Sequence, residues 1–126
     1  MSGTTFDHEK LDVYIQAIAF VAWATEFAEG TLSKCRQSAV RHLDRAGTSI
    51  ALNIAEGNGK RSLADRCRYL DIARGSALES AACLDVLVAS KAVRVDQIAT
   101  GKAILLRIVA MLSKMVVRLL GPASGM

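Results

Sequence analysis

The sequence predicts an all-α fold: an antiparallel up-down-up-down four-helix bundle that assembles into a ring-like homo-oligomer. The 126-residue chain has a single proline, Pro122, so no residue before it interrupts a long helix. Only short connections separate the helical runs, which is typical of antiparallel neighbours in a bundle. Apolar residues make up 52% of the chain, more than is usual for a small soluble domain. We therefore expect one domain over residues 1–126, with helices at about 7–29, 34–56, 62–90 and 96–120.

The first helix is expected to begin with Asp7 as its N-cap, because a side-chain oxygen there can accept from unpaired backbone N–H groups. A helix that is apolar nearly all round must be buried nearly all round. In a lone bundle each helix keeps a solvent side, so we expect subunit association to cover the remaining apolar surface. One face carries Leu11, Ile15, Ile18 and Ala22, and the other faces carry Val13, Phe20, Trp23 and Phe27.

The second helix has the most regular pattern. Its apolar residues recur at alternating spacings of three and four, which predicts a seam buried in the core. Gly57 follows this seam and is expected to end the helix in the left-handed conformation. The seam consists of Val40, Leu43, Gly47, Ile50 and Ile54.

A polar stripe runs beside the seam. A buried amide or carboxylate is costly unless it is paired, and the third helix offers polar partners on one face. At about 100° per residue, the stripe comprises His42, Ser49, Asn53 and Glu56. We therefore predict a structural polar network between helices or subunits, formed by Ser49, Asn53, Glu56, Ser76 and Glu79.

A serine, a histidine and an acid in one stripe could also indicate nucleophilic catalysis. Within one helix, however, His42 and Ser49 lie two turns apart, roughly 10 Å, which is beyond hydrogen-bond reach. Assembly could bring His42 of one subunit near Glu56 of another, so a catalytic site between subunits stays open as an alternative. The expectation is a protein that is not an enzyme.

The third and fourth helices have N-cap signals at Ser62 and Asp96. Asp65 follows Ser62 by three residues, which approximates a capping box. Apolar residues of the third helix recur at heptad spacing, at Leu63, Leu70, Ala77 and Leu84. The fourth helix again has more apolar residues than one buried face can use: Ile104, Leu105, Leu106, Ile108, Val109, Leu112, Val116, Leu119 and Leu120.

Positive charge is concentrated after residue 30. Residues 1–30 hold five acidic side chains against Lys10 alone, a net −4, and the remainder carries +8, which together give the +4 of the chain. A basic surface suits phosphate backbones, and several copies in a ring would multiply it. The alternative is a solvated face that keeps an apolar helix soluble. The candidate nucleic-acid-binding residues are Lys60, Arg61, Arg66, Arg68, Arg107, Lys114 and Arg118.

The chain has no recognisable cofactor, metal or phosphate-loop motif, so we expect no cofactor. Its three cysteines, Cys35, Cys67 and Cys83, lack C-x-x-C spacing, and its two histidines lack metal-ligand spacing. The stretch GNGKRS at residues 57–62 does not have the G-x-x-x-x-G-K-[ST] spacing of a phosphate-binding loop. Aromatic residues are only 5% of the chain, and none is expected to form a stacking platform with the basic residues.

The apolar runs at residues 15–24 and 104–117 are shorter than the roughly 18 uninterrupted apolar residues that a membrane span needs. The polar and acidic start of the chain does not have the pattern of a signal peptide. We therefore expect no membrane association and a cytoplasmic location.

A second pattern runs from the second helix into the third. It consists of Arg45-Ala46, Ser49-Ile50, Asn53-Ile54-Ala55-Glu56-Gly57, Ser62, Arg68-Tyr69-Leu70, Ile72-Ala73, Gly75-Ser76 and Glu79. Over about residues 6–90, the chain resembles the four-helix-bundle family of proteins encoded in 23S ribosomal RNA intervening sequences. The resemblance implies a four-helix protomer, a homopentamer and no established enzymatic activity. Members of this family are similar to the accessory protein of diversity-generating retroelements, which forms a pentameric barrel and engages nucleic acid and a reverse transcriptase.

The leading functional expectation is RNA or DNA binding through the basic surfaces of a ring. The alternative is a protein-interaction scaffold or accessory subunit that meets an acidic partner and binds no nucleic acid. A reverse transcriptase is a candidate partner implied by the resemblance.

Overall fold

The computed structural model describes residues 5–31 and 37–121, and these residues form helices and no β-strand. The all-α, four-helix expectation is confirmed. A short 3₁₀ turn at Asp7–Lys10 precedes four long helices. These helices are α1 (Asp12–Thr31), α2 (Gln37–Asn58), α3 (Leu63–Ala89) and α4 (Val95–Leu120). Residues 34–36 of the predicted second helix, including Cys35, lie outside the described residues.

The start of the first helix differs from the prediction, and Asp7 is not its N-cap. The backbone N–H of Phe6 donates to the carboxylate of Glu9 at 3.1 Å, which stabilises the 3₁₀ turn as a separate unit. Leu11 then has an extended backbone, with φ −76° and ψ 130°. Because an extended residue interrupts the helical hydrogen bonds, the α-helical part begins only at Asp12.

Asp96 is likewise not an N-cap, because α4 begins one residue earlier, after Arg94. The backbone N–H of Arg94 donates to the side chain of Gln97 at 2.8 Å. The Asp96 carboxylate instead accepts from the Arg94 guanidinium at 3.1 Å, and this contact lowers the pKa of Asp96. Ser62 is confirmed as the N-cap of α3, since its hydroxyl accepts from the backbone N–H of Asp65 at 3.1 Å.

Gly57 does not end its helix in the left-handed conformation, so that prediction is wrong. The helix continues to Asn58, and the positive φ angles among the described residues belong to Lys91 and Gly121. A Cβ on Gly57 would lie 3.0 Å from the Cβ of Tyr69. Glycine therefore permits the close approach of α2 and α3 here, and it does not form a turn.

The core is built from the inward faces of all four helices. The seam predicted on α2 is buried at four of its positions, and Val40 is half-buried. The Phe20 ring of α1 packs on Gly47 of α2, where a Cβ would lie 3.1 Å from the ring. The largest fully buried side chains are Phe20, Leu43, Ile50, Ile54, Leu84, Leu87, Leu105, Ile108 and Leu112.

Each helix contacts two others, in the cyclic order α1, α2, α3, α4. Between α3 and α4, the Arg74 Nε donates to the Ser113 hydroxyl at 2.9 Å and the Lys102 Nζ to the Asp85 carboxylate at 2.5 Å. Between α4 and α1, the Arg107 Nε donates to the Gln16 side chain at 3.2 Å. These contacts fix the register between neighbouring helices.

Large apolar side chains also lie on the outside of the bundle. On α4, Leu106 is 72% exposed and Val117 is 59% exposed. On α1, Ile15 and Ile18 are about half exposed. The helix α3 adds Leu78 and others to this set, which the sequence analysis did not anticipate. Within the described residues, no helix has both the length and the apolarity that crossing a bilayer requires.

Polar contacts and candidate nucleic-acid interface

Asn53 is held by hydrogen bonds within α2 and linked through them to α3. Its amide nitrogen donates to both the backbone carbonyl and the hydroxyl of Ser49, each at 2.9 Å. The Ser49 hydroxyl in turn shares a hydrogen bond with the buried Ser76 hydroxyl of α3, at 2.8 Å. Ser80, which is fully buried, donates to the Ser76 carbonyl at 2.9 Å. The amide among apolar neighbours is thus accommodated because its N–H groups are paired.

The two glutamates predicted for this network lie outside it. Glu79 pairs with the His42 imidazole, with 2.5 Å between Oε2 and Nε2. Glu56 pairs with Lys60, one turn further along the chain, at 3.1 Å. Both carboxylates are about half exposed to solvent. Solvent and one basic side chain each, His42 for Glu79 and Lys60 for Glu56, therefore satisfy them without any contact to Asn53. The five predicted residues therefore divide into one hydrogen-bonded trio and two separate ion pairs.

The ion pair of His42 and Glu79 lines an open cleft of about 360 Å³ between α2 and α3, and Cys83 lines the same cleft. Burial raises the pKa of the Cys83 thiol, and the charge of Glu79 raises it further. The thiol is therefore protonated at neutral pH, the opposite of an activated nucleophile. Among the described residues, no three histidine, cysteine or acidic side chains are grouped so that they could hold a metal ion.

Tyr69 lies between two of the candidate basic residues, a contact that the sequence analysis missed. The Lys60 Nζ and the guanidinium carbon of Arg68 each lie 5.0 Å from the centre of the Tyr69 ring. Both cations also have acidic partners, Glu56 for Lys60 and Asp65 for Arg68. The hydrogen bond to Glu56, followed by the charge of Tyr69, raises the pKa of Lys60. The spacing of these residues on either side of the α2–α3 turn was the signal that could have indicated this cluster.

Arg66 of α3 and Arg118 of α4 line one cleft, although they lie far apart in the sequence. The Arg66 Nε donates to the backbone carbonyl of Lys60 at 2.8 Å, which fixes the guanidinium at the α2–α3 turn. Lys114 lies one helical turn before Arg118 and lines an adjoining groove on α4. The cleft has a volume of about 150 Å³ and is also lined by Gly57, Asn58, Leu70, Met115 and Leu119.

The remaining candidates lie apart from this cleft. Arg107 is bound to Gln16 on α1, and at about 1.5 Å per residue it lies roughly 16 Å along α4 from Arg118. Arg61 is exposed in the connection between α2 and α3. Of the three candidates on α4, Lys114 and Arg118 therefore lie towards the end of the helix and Arg107 lies near its middle.

The fold and these contacts define a small protein of four long helices, with a polar trio between α2 and α3 and a cleft lined by two arginines. A sequence model of the 23S rRNA-intervening sequence protein family matches residues 9–114, so the chain belongs to this family. The match extends into α4, beyond the residues on which the sequence resemblance was based.

One solved structure is similar over most of the chain. It is the crystal structure of a protein with unknown function from the S23 ribosomal protein family of Bacteroides thetaiotaomicron VPI-5482. The likeness covers 82% of this chain and 97% of that chain, with a TM-score of 0.74 and 22% sequence identity. At that identity it is evidence for the fold alone. No curated protein matches the chain significantly.

Proposed function

We propose that this protein is a non-catalytic, cytoplasmic homo-oligomer, with a homopentamer as the expected state, that binds RNA or DNA through basic surfaces. The observation that carries the proposal is the meeting of Arg66 and Arg118 at one cleft, with Lys114 one turn away. Within the described residues, neither Lys114 nor Arg118 forms an ion pair with a carboxylate. Unpaired cations of this kind can neutralise phosphates and release counterions.

The contacts between helices support the antiparallel, up-down-up-down topology that brings these cations together. Residue numbers rise along α3 and fall along α4 from the Arg74–Ser113 contact to the Asp85–Lys102 contact. The same opposite order holds between α1 and α4, from the Gln16–Arg107 contact to the contact of Trp23 with Gly101. In that topology the end of α2, the start of α3 and the end of α4 share one end of the bundle. The cations of the α2–α3 turn and of late α4 then form one basic end.

The exposed apolar faces of α1 and α4 support self-association. Ile15 and Ile18 on α1, and Leu106 and Val117 on α4, each leave about half or more of their surface in water. Burying such side chains against another copy is favourable, at about 25 cal/mol per Å² of apolar surface. Assembly would also repeat the basic end once per subunit, which strengthens phosphate binding without any new contact within a subunit.

A protein-interaction scaffold without nucleic-acid binding is the second candidate function. It is favoured by the fact that Lys60 and Arg68 are already paired with acidic side chains of the same chain. The exposed apolar side chains of α3, such as Leu78, add a surface that a protein partner could cover. The partner of such a scaffold would be a reverse transcriptase or another protein.

Binding of a generic RNA at two salt concentrations tests the proposal. Affinity should fall steeply with salt, and the slope of log K against log salt should decrease by about 0.7 for each phosphate contact removed. The Lys114→Ala and Arg118→Ala double variant should therefore bind more weakly and less salt-dependently. The Arg41→Ala and Arg45→Ala double variant, which removes two exposed charges from the first half of α2, is the matched control and should leave binding unchanged.

Absence of binding at low salt would refute nucleic-acid binding. Equal losses in the two double variants would instead refute the assignment of binding to Lys114 and Arg118. Recovery of a protein partner that survives nuclease treatment, together with that absence, would favour the scaffold.

A further inference from the structure

The cleft between Arg66 and Arg118 differs from the rest of the basic surface in its shape and its lining. Its volume of about 150 Å³ leaves room for several waters, and hence for a phosphate group. Arg66 and Arg118 both line it, and no acidic residue is among its lining residues within the described part of the chain. Its remaining lining is mainly apolar, from Leu70, Met115 and Leu119.

The Arg66 side chain is positioned in advance of any ligand. Its Nε donates to the Lys60 carbonyl, and the guanidinium makes no other hydrogen bond within the described part of the chain. Both terminal amino groups therefore remain as donors for another acceptor. Gly57 contributes to the same arrangement, because a Cβ there would lie 3.3 Å from the Arg66 carbonyl oxygen. The close approach of α2 and α3 keeps the start of α3 against the cleft.

The carboxylate of Asp7 contacts one of the lining residues and is a competing negative charge. It accepts from the Asn58 side-chain amide at 2.9 Å, and Asn58 lines the cleft. Counting Asp7 against the two arginines, the site retains a net positive charge. An anion is therefore the ligand that its electrostatics favour.

We infer that this cleft binds a phosphate monoester, namely the terminal phosphate of a nucleic-acid chain. A terminal phosphate has three unbridged oxygens and one substituent, so it can enter a cleft with an apolar floor and leave the rest of the chain outside. A phosphate within the chain has substituents on two sides and suits an open surface better. Two arginines match the two negative charges of a monoester, and paired guanidinium contacts to phosphate are strong and directional. The inference rests on the proposed nucleic-acid binding.

The test compares RNAs of one sequence that carry a 5′-phosphate, a 3′-phosphate or hydroxyls at both ends, by fluorescence anisotropy at a fixed salt concentration. A terminal phosphate at one end should tighten binding about tenfold, as expected for charge-assisted hydrogen bonds. Arg118→Ala should abolish this preference, so that the three RNAs bind with one common and weaker affinity. Arg107→Ala, a loss of the same charge on the same helix, should leave the preference intact.

A nucleoside 5′-monophosphate serves as the second arm, with the parent nucleoside as its control. Competition by the monophosphate but not by the nucleoside supports a phosphate site in the cleft, whether the phosphate comes from a nucleic-acid end or from a free nucleotide. Equal affinity for all three RNAs, or a preference that persists in Arg118→Ala, would overturn the inference and leave the proposed nucleic-acid binding standing. Binding of the monophosphate with no binding of any RNA would instead retain the site and refute the proposed function.

Discussion

Replacing Gly101 with alanine should destabilise the protein, although alanine is the better helix former. Gly101 is buried in α4 against the indole of Trp23, and a Cβ there would lie closer than 3.0 Å to three ring atoms. The indole has little room to move, because it stacks on Phe27 with 4.7 Å between ring centres and contacts Phe20 at 5.8 Å. The extra methyl must therefore displace a ring or push α1 and α4 apart.

The magnitude follows from two opposing effects. Overpacking a core by one methyl group costs about 1–3 kcal/mol, and a rigid stacked ring belongs at the upper end of that range. Alanine recovers about 1 kcal/mol of helix propensity relative to glycine. A net loss of about 2 kcal/mol remains. With about 2.1 cal/mol/K per residue over 126 residues, 1 kcal/mol corresponds to about 4 °C, so Tm should fall by about 8 °C.

Gly75→Ala is the matched control, since Gly75 is exposed within α3 and a Cβ there would meet nothing within 4 Å. This variant should raise Tm by about 2–4 °C, from about 0.5–1 kcal/mol of propensity. Calorimetry or circular dichroism at one protein concentration measures both, because assembly makes Tm depend on concentration.

A double-mutant cycle attributes the loss to the indole. In a Trp23→Leu background, the cost of Gly101→Ala should disappear or reverse, which gives a coupling energy of about 2 kcal/mol. A Gly101→Ala protein as stable as the wild type would refute the packing argument, and so would an equal loss in both backgrounds.

Three further predictions concern assembly, the polar trio and the thiol. Leu106→Glu should dissociate the proposed oligomer, measured by light scattering, whereas Leu52→Glu on the polar outer face of α2 should not; an unchanged mass for both would exclude α4 from the proposed interface. Asn53→Leu should lower Tm by about 4 °C, because about 1 kcal/mol of hydrogen bonding is lost. If the polar trio determines which subunits associate, the variant should also change the assembly state. An unchanged Tm and an unchanged assembly state would exclude that role of the trio. Because the pKa of its thiol is raised, Cys83 should be alkylated slowly at pH 7.5 and faster only at clearly alkaline pH. Glu79→Gln should shift this pH profile of alkylation, measured by peptide mass mapping, to lower pH. A profile that the variant leaves unchanged would contradict the influence of Glu79.

The helices were predictable because their signals are local and repeat along the chain. The α2 seam at spacings of three and four identified a buried face, and Ser62 identified the start of α3. The errors have two sources: a contact with the next helix at Gly57, and competing capping residues within the same turn at Asp7 and Asp96. Gly57 has the appearance of a helix terminator, but the approach of Tyr69 from the next helix determines what it does. Asp7 and Asp96 are good capping residues in isolation, yet Glu9 and Gln97 stabilise other starts.

The sequence predicted which residues share the polar face of α2, but it did not predict which side chains pair with one another. Helical periodicity correctly groups Ser49, Asn53 and Glu56 on α2, because direction depends only on residue number. Partner choice depends on depth, which periodicity does not give. Ser76 is buried and can be reached by a short side chain, whereas the longer Glu56 side chain extends into water and meets Lys60.

The polar trio and the arginine cleft lie in different parts of the bundle, so substitutions can test each of them separately. The trio links the middle of α2 to the middle of α3, while the cleft depends on the ends of helices. Arg118 is exposed, so its removal costs little core packing, and a loss of phosphate binding there can be interpreted as a loss of contact. Asn53 and Ser76 lie where α2 and α3 pack together, so substituting them changes the register of these helices and not a direct contact with a ligand. Substitutions at Arg118 therefore test the proposed binding, and substitutions at Asn53 test the fold and the proposed assembly.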